Sequence, residues 1–335
     1  SGLFGVGGGF LMTPFLIFLG IPPVYAVPNE INNILATSVS GSMTHWFKNT
    51  LDYKMGLMII VGGIIGTLLG ITAFNFFKES GKLNLIISLS YMYLLAIIGT
   101  LMLIQGAGEI ERARKKIILK QKLHTHYWIH GLPLKLRFQK SRLYESIFTP
   151  IILGVLTGFV AALIGVGGAF LMVPAMIYII GMPIKLIPGT SLFVTVFISA
   201  IVTILHALNY GSIDLILVVS LVFGSIIGVH LGQKIGQFLD SSHLKTLFAL
   251  LLCCVAFAIA YDTFFFEGPK TILEKVTIDN QDLNFFSKFI VKLSLNNPLL
   301  YGSFAIILAI FLGVVAAGLR QLLSKYRDKI LIKKN

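Results

Sequence analysis

Charged residues are scarce in this chain. Asp, Glu, Lys and Arg together make up 12% of its 335 residues, whereas an ordinary soluble domain has roughly a quarter. Hydrophobic residues make up 56%, and the mean hydropathy is +0.87. A water-soluble fold of this size could not bury so much apolar surface. The composition therefore excludes an ordinary soluble protein and predicts an all-α polytopic membrane protein.

Cysteines and known catalytic motifs are also scarce. The two cysteines, Cys253 and Cys254, are adjacent within an apolar stretch, so no disulfide framework is predicted. No nucleotide-binding loop of Walker type and no Ser/His/Asp or metalloprotease signature occurs. His124, His126 and His130 lack the spacing and the partner ligands of a usual metal site. We therefore expect no metal, no cofactor and no ATP-driven transport by this chain alone.

Apolar stretches near the length of a membrane span follow one another along the chain. About 20 consecutive apolar residues cross the hydrocarbon core of a bilayer. The two stretches that flank residues 165–168 are short, so they are expected to be either full crossings or a broken, re-entrant pair. This gives about 8–10 membrane segments. The predicted spans are 3–20, 31–47, 54–77, 83–105, 149–164, 168–181, 186–208, 213–235, 243–262 and 299–319.

The positive charge is concentrated in two places. The formal net charge is +13; ten Lys or Arg residues lie in 106–148, and six more follow Leu319. The positive-inside rule places both regions on the cytoplasmic side, so the positive charge does not indicate nucleic-acid binding. Within 106–148, the alternation of apolar and basic residues over 132–138 predicts a strip that lies on the anionic inner leaflet.

A glycine motif of ten residues occurs twice. Gly5–Pro14 reads GVGGGFLMTP and Gly165–Pro174 reads GVGGAFLMVP, so eight of ten positions are identical. The chain is therefore predicted to be a tandem duplication. With an odd number of spans in each half, the halves would form two inverted repeats. The later matched pairs are His45 and His206, Asp52 and Asp214, Gly62 and Gly224, Gly66 and Gly228, and Gly70 and Gly232.

The duplication divides the chain into five predicted regions. The second copy has an apolar segment before its glycine motif that the first lacks, so the first repeat is predicted to be truncated at its N terminus. The regions are a first transmembrane repeat at 1–105, a basic cytoplasmic linker at 106–148, a second transmembrane repeat at 149–262, an extracytoplasmic loop at 263–298, and an extra transmembrane helix with a basic tail at 299–335.

These motifs resemble those of the sulfite exporter TauE/SafE family. The resemblance covers roughly 1–105 and 149–262, and its double occurrence makes it specific. It implies export or uptake of a small anion, such as sulfite or an organosulfonate, across a bacterial inner membrane. The residues that carry it are Gly5–Pro14 and Gly165–Pro174, then Gly20–Pro23, Pro188–Ser191, and His206 with Gly211–Asp214.

The glycine runs are the main candidates for a binding site. Glycine weakens a helix, so these runs predict breaks that expose backbone N–H groups able to bind an anion. The alternative is that they only permit close helix packing, as we expect at Gly66 and Gly228, where alanine should cost less. Recurrence beside Pro14 and Pro174, predicted kinks, favours the site. The candidate substrate-binding glycines are Gly5, Gly7, Gly8, Gly165, Gly167 and Gly168.

Polar residues open two predicted spans at corresponding positions. Asn29 and Glu30 lie in the first half, and Thr190 and Ser191 lie in the second. Asn29, Thr190 and Ser191 would bind substrate oxygens or cap helices. The carboxyl group of Glu30 would exchange a proton and couple flux to the proton gradient, or it would lie at the headgroup level without a role.

Two histidines end corresponding predicted spans. His45 and His206 are each followed by an aspartate seven or eight residues later. Either could titrate near neutral pH and serve in coupling, although an interfacial structural role is the interpretation we favour.

Together these features predict a transporter rather than an enzyme. The expected protein is a permease or exporter that moves a small inorganic or organosulfur anion by alternating access, with H⁺ as a candidate coupling ion and its C terminus in the cytoplasm. Two alternatives stay open: a membrane enzyme using His206 and Asp214, or a nonenzymatic membrane scaffold or sensor. Flux in reconstituted vesicles, or product formation without flux, distinguishes them.

Overall fold

The architecture comes from a computed structural model. It describes residues 9–19, 21, 23–114, 133–183, 185–210, 214–236, 241–265 and 298–332. Almost all of these residues are α-helical, which confirms the all-α fold class. The predicted loop at 263–298 lies largely outside the described residues.

The described residues form ten α-helices and one hairpin. In chain order they are α1 (Gly9–Phe18), α2 (Pro23–Phe47), α3 (Tyr53–Glu79), α4 (Leu83–Arg114), β1 (Lys135–Phe138), β2 (Leu143–Ser146), α5 (Phe148–Ile164), α6 (Ala169–Ala175, continued by a π-helical turn at Met176–Ile180), α7 (Ile187–Tyr210), α8 (Leu215–Gly236), α9 (Ser241–Phe265) and α10 (Pro298–Ile332).

Four of these helices are long and apolar enough to cross a membrane. Among the described residues, they are Tyr53–Glu79, Leu85–Ile104, Ile187–Asn209 and Leu299–Gly318. Shorter apolar helices accompany them. Large apolar side chains such as Leu57, Ile65 and Leu68 of α3 are exposed on the protein surface, as expected for residues that face lipid.

Helix α2 begins at Pro23, eight residues before the predicted start at 31. The polar residues that were expected to open this span, and Pro28 before them, lie inside α2. Proline removes one backbone N–H, but polar groups near a membrane-helix proline can satisfy the freed carbonyls. Here the Asn29 side-chain amide donates to the Tyr25 carbonyl at 2.7 Å, next to the Val24 carbonyl whose helical partner Pro28 cannot supply. Asn29 and Glu30 are therefore buried in the second turn rather than lying at the helix entrance.

The directions of the helices follow from their contacts. Gly189, at the start of α7, lies beside His45, at the end of α2, while Thr203 further along α7 bonds Asn32. Helices α2 and α7 are therefore antiparallel. We call the end of the bundle at which α2 ends and α3 begins, next to β1 and β2, the hairpin side.

Helices α3 and α5 run parallel and touch backbone to backbone. A Cβ added at Gly62 or Gly66 would overlap the carbonyl of Ile151 or Val155. Gly154 of α5 is in turn placed against the Ile59 carbonyl of α3. The packing role expected at Gly66 is therefore present, and an alanine there would meet backbone atoms that cannot move aside cheaply. Whether it costs less flux than a substitution in the glycine motifs stays a prediction.

The equivalent glycines of α8 have different surroundings. Within the described part of the chain, nothing lies within 4 Å of a Cβ added at Gly224 or Gly228. Helix α10 packs instead on α2 and α7: Gly313 lies against Ala36, and Gly302 lies against Ala207. Because Ala207 is near the far end of α7, α10 runs toward the hairpin side.

The β-hairpin stands at the end of the basic 106–148 segment. Its antiparallel strands pair Lys135 with Ser146 and Phe138 with Leu143. Phe138 is fully buried against the helices, so the predicted strip on the lipid surface is wrong for this residue. The alternation arises because one face of the strand packs on the protein while Lys135 and Arg137 point outward.

Candidate functional site

The second glycine motif breaks the membrane helix between α5 and α6. Gly165, Gly167 and Gly168 have φ values of +84°, +73° and +69°, which side-chain-bearing residues rarely adopt. All four residues from Gly165 to Gly168 are buried. The predicted break is therefore present in the second half. In the first half, Gly5, Gly7 and Gly8 lie outside the described residues.

Two hydroxyl groups from other helices bind the carbonyls at this break. The Tyr91 hydroxyl of α4 donates to the Ile164 carbonyl at 2.8 Å. Thr13 of α1 donates to the Gly165 carbonyl at 3.5 Å. The acceptor groups that end α5 therefore have protein partners.

The backbone N–H groups of the break, unlike the carbonyls just described, lack hydrogen-bond partners in the described part of the chain. Among the described residues, the backbone N–H groups of Val166, Gly167 and Gly168 form no hydrogen bond. Buried backbone N–H groups are nearly always paired with protein, water or ligand. A site with satisfied carbonyls and available N–H groups suits an anion better than a cation.

Helix α2 passes directly over the break. A Cβ added at Gly165 would lie 3.0 Å from Cγ1 of Val27, and one at Gly167 would lie 2.6 Å from Cγ2 of Ile34. These two contacts bracket the turn of α2 that carries Glu30. The lack of a side chain at the glycines is what allows α2 to come this close.

Glu30 is fully buried on this turn. Its carboxylate oxygens accept from Nδ2 of Asn33 at 3.1 and 3.3 Å. The Oδ1 atom of Asn33 has no partner among the described residues. A carboxyl group, an open acceptor and the break thus lie in one buried region.

Asn29 lies one residue before Glu30 and joins α2 to the second half. Its Oδ1 accepts from the backbone N–H of Asp214 at 2.7 Å. Asp214 precedes α8, and its Oδ1 accepts from the backbone N–H of Ile216 at 2.9 Å. Both polar ends of the Asn29 side chain are therefore committed to backbone partners, which indicates a structural role in this conformation.

Thr190 and Ser191 lie far from this region, at the hairpin side. The Thr190 hydroxyl accepts from the backbone N–H of Asp52 at 3.0 Å, and Ser191 donates to the Pro188 carbonyl at 3.2 Å. Thr203, which bonds Asn32 of the central region, is thirteen residues further along α7, or about 20 Å of helix. The structure does not bring the predicted polar residues of the two halves into one cluster.

A row of hydroxyl groups on α7 lies between the hairpin side and the central region around Glu30. On α7 these residues recur every fourth position and are all buried, so they lie along one side of the helix. The Ser199 hydroxyl, and that of Ser38 on the facing α2, have no partner among the described residues. We call these the hydroxyl row: Ser191, Thr195, Ser199 and Thr203.

The two histidines occupy unequal environments. His45 is partly exposed at the hairpin side, where its Nδ1 forms a 2.8 Å hydrogen bond with the Thr50 hydroxyl. His206 is fully buried, so it does not lie at the interface as favoured from the sequence. Its Nε2 is 3.1 Å from the Ala162 carbonyl, and its ring meets Phe74 edge-on. Ala162 is in the last turn of α5, immediately before the break.

Both predicted kink prolines lie inside helices. Pro14 is in α1, and Pro174 is in α6, which changes to a π-helical turn two residues later. Tyr91 and Thr13 were missed by the sequence analysis, because a lone tyrosine or threonine in an apolar stretch carries no signal of its partner. Their polar character in apolar surroundings was the one available indication.

A multi-pass helical bundle with a broken helix, a carboxyl group and unpaired hydroxyls in its buried interior has the architecture of a membrane transporter. Comparison with known proteins gives the same class. The chain belongs to the sulfite exporter TauE/SafE family, whose model matches residues 1–259.

Curated relatives carry the same general description. The chain is 28% identical over 257 residues to the probable membrane transporter protein YjnA of Bacillus subtilis, covering 75% of this chain and 91% of that one. It is 27% identical over 277 residues to YunE of the same organism, covering 78% and 93%. A Methanocaldococcus jannaschii relative, MJ0441, is 25% identical over 268 residues, covering 75% and 86%. No solved structure matches the chain significantly.

Proposed function

We propose that this protein is a secondary transporter that moves a small anion, such as sulfite or an organosulfonate, across the bacterial inner membrane by alternating access. The observation that carries the proposal is the buried break at Gly165–Gly168. Its carbonyls are occupied by Tyr91 and Thr13, while three of its N–H groups have no partner among the described residues. An anion bound there would satisfy these donors without a buried cationic side chain.

Glu30 is proposed to couple transport to protons. A buried carboxylate with one amide partner is costly in a membrane interior. Its negative charge would also repel an anion bound at the break. Gain of a proton by Glu30 would remove this repulsion and permit the anion to bind. Loss of the proton would favour release, which makes the two events mutually dependent.

The hydroxyl row is proposed as the route between the central region and the hairpin side. Its groups are buried along α7, and Ser199 and Ser38 retain hydrogen-bonding capacity. Hydroxyl groups can exchange partners with a passing oxyanion at low cost, because they both donate and accept. Thr190 and Ser191 would then act at the entrance of the route, consistent with their distance from Glu30.

The inverted-repeat arrangement is part of the same proposal. Two observations support it. Helices α2 and α7 are antiparallel, and Asn29 and Thr190, which correspond in the two repeats, each accept a hydrogen bond from a backbone N–H of the opposite half. Asn29 accepts from the backbone N–H of Asp214, and Thr190 accepts from that of Asp52. In such an arrangement the first glycine run would approach α7 as the second approaches α2.

Flux in proteoliposomes tests the proposal. Radiolabelled sulfite, an alkylsulfonate, sulfate and a carboxylate are offered to the wild type, Gly167→Ala and Gly181→Ala. The two glycines have nearly equal φ values, +73° and +70°, so the backbone strain is matched. Only the Gly167 variant meets another side chain, that of Ile34, whereas nothing described lies near Gly181. We expect sulfite or sulfonate flux that is lost in Gly167→Ala and retained in Gly181→Ala.

A second matched pair examines the carbonyl side of the break. Tyr91→Phe removes the hydroxyl that binds the Ile164 carbonyl, whereas Tyr93→Phe alters an exposed ring two residues away. Flux should fall in the first and persist in the second, at equal amounts of folded protein. If the wild type moves none of the four anions, the function is wrong. If flux exists but is unaffected at Gly167 and Tyr91, the site is wrong.

A further inference from the structure

The outer face of the β-hairpin is basic and aromatic. Arg137 pairs with Tyr144 across the two strands, and both side chains are exposed. The ammonium group of Lys135 lies 6.0 Å from the Tyr144 ring centroid. The hairpin's acidic residue, Glu145, points to the opposite face and is buried. The outward face therefore carries positive charge without a compensating carboxylate among the residues of the hairpin.

An open cavity of about 730 Å³ lies on this hairpin. Arg137 and Arg142 contribute two guanidinium groups to its lining, together with Gln139, Leu143 and Tyr144. Among the described residues, neither guanidinium group forms a hydrogen bond or an ion pair. Guanidinium groups bind phosphate oxygens in a bidentate manner, so two of them around one cavity favour a phosphate-bearing ligand.

The cavity lies next to an apolar helix and to exposed aromatic side chains. Only Ile147 separates β2 from α5, a helix of the bundle, whose first residue Phe148 is partly exposed. Trp46 and Phe47, at the end of α2 on the same side, are exposed as well. Exposed aromatic residues at helix ends are typical of the headgroup level of a bilayer.

The hairpin is held firmly in this position. The Asp52 carboxylate accepts from the backbone N–H of Ser141 at 3.1 Å and from its hydroxyl. Lys140 donates to the Leu51 carbonyl at 3.1 Å, and Lys54 donates to the Arg137 carbonyl at 3.3 Å. These bonds join the hairpin to the loop between α2 and α3 and to the first turn of α3, so contacts within the protein itself fix its position.

We propose that this cavity binds the phosphate headgroup of an anionic phospholipid from the adjacent leaflet. The lipid source follows from the position of the hairpin, because the acyl chains of such a lipid would lie along the exposed apolar surface next to α5. This site is separate from the proposed anion route, since it faces outward and its arginines do not reach the bundle interior. It gives the protein a specific partner within the bilayer.

Quenching of tryptophan fluorescence by brominated lipids tests the proposal. The chain has two tryptophans, and Trp128→Phe leaves Trp46 as reporter. The Trp46 ring centroid is 5.0 Å from that of Tyr53, which in turn is 5.4 Å from the Lys140 ammonium of the hairpin. The full chain is reconstituted in phosphatidylcholine, and brominated phosphatidylglycerol is compared with brominated phosphatidylcholine.

The matched variants are Arg137→Gln/Arg142→Gln and Lys48→Gln/Lys185→Gln. Each pair removes two exposed charges at the hairpin side, but only the first alters the cavity. We expect the preference for phosphatidylglycerol to fall in the arginine pair by more than the diffuse effect of two surface charges, which is about five-fold per charge, because the bidentate contacts to the phosphate are lost as well. The lysine pair should change it far less. Arg137→Lys/Arg142→Lys keeps the charge but loses the bidentate geometry, and it should give an intermediate preference.

Two results would overturn the proposal. Equal losses in the arginine and lysine pairs would mean that diffuse charge, not a cavity, attracts the lipid. Displacement of the brominated lipid by inorganic phosphate, with chloride at equal ionic strength as control, would mean that the cavity takes a soluble phosphate instead. Both arginines are exposed, and an unchanged gel-filtration profile and midpoint of thermal unfolding show that the arginine pair is folded.

Discussion

Asn29 and Asp214, 185 residues apart, are joined by a 2.7 Å hydrogen bond from the backbone N–H of the aspartate to the side chain of the asparagine. The same relationship links Thr190 with Asp52 at 3.0 Å. Each bond connects the first turns of a long helix in one half to the residue that precedes a helix in the other. The two bonds lie at opposite ends of the bundle, where they tie α2 to the start of α8 and α7 to the start of α3.

Removal of one of these bonds should destabilise the protein. Thr190→Val keeps the side-chain shape but leaves the backbone N–H of Asp52 without its acceptor, at a cost of about 1–3 kcal/mol. The control is Thr195→Val, because among the described residues the Thr195 hydroxyl bonds only the Ser191 carbonyl of its own helix. Thermal unfolding in detergent should show a lower midpoint for Thr190→Val than for Thr195→Val. Equal midpoints would show that the bond to Asp52 does not hold α7 in place.

Proton coupling is expected to depend on Glu30. Glu30→Gln keeps the size of the side chain but cannot exchange a proton, so accumulation of anion driven by a proton gradient should be lost. Exchange of labelled for unlabelled anion across the membrane should remain measurable. Glu79→Gln, at the exposed end of α3, is the control and should behave as the wild type. Gradient-driven accumulation by the Glu30 variant would remove this residue from the mechanism.

Two equivalent glycines should respond differently to alanine. Gly66→Ala would drive a Cβ into the Val155 backbone of α5, an overpacking that costs about 3 kcal/mol. Gly228→Ala meets no described atom within 4 Å and removes a glycine from a helix, which is worth roughly 1 kcal/mol. The amount of folded protein in the membrane and its unfolding midpoint measure both. A Gly66 variant as stable as the Gly228 variant would contradict the contact between α3 and α5.

The hairpin side is predicted to face the cytoplasm, because the basic segment before α5 lies there. Gln139→Cys on the hairpin turn and Ser80→Cys after α3 are both exposed and lie at opposite ends of α3. In a Cys253→Ala/Cys254→Ala background, an impermeant maleimide should label the first only in opened cells. It should label the second in intact cells. The reverse pattern would invert the orientation.

Much of the fold could be predicted because a bilayer imposes simple rules. The extents of the apolar stretches predicted the bounds of α3, α5 and α7 to within one or two residues. This works because a helix satisfies its own backbone hydrogen bonds in lipid. The break at Gly165 was also predictable, because positive φ values favour glycine. The start of α2 was not, because whether Pro28 ends a helix depends on groups that satisfy its neighbours.

The composition of the candidate site depended on contacts that a sequence pattern does not encode. Thr190 corresponds to Asn29 in the repeat, but the two lie at opposite ends of the bundle, because equivalent positions in antiparallel helices are far apart. Tyr91 reaches the break from α4, 73 residues away, and no local spacing indicates this. Burial of Phe138 likewise required knowing which face of the hairpin meets the helices.

The backbone contact between α3 and α5 restricts how the protein can move. Interlocked glycines leave no side chains between the two helices that could re-pack, so sliding would require the carbonyls of Ile151 and Val155 to pass through the opposite backbone. The pair must therefore travel as one rigid body. In the alternating-access cycle proposed above, rotation would be left to the joint at its end, where Gly165, Gly167 and Gly168 connect α5 to α6.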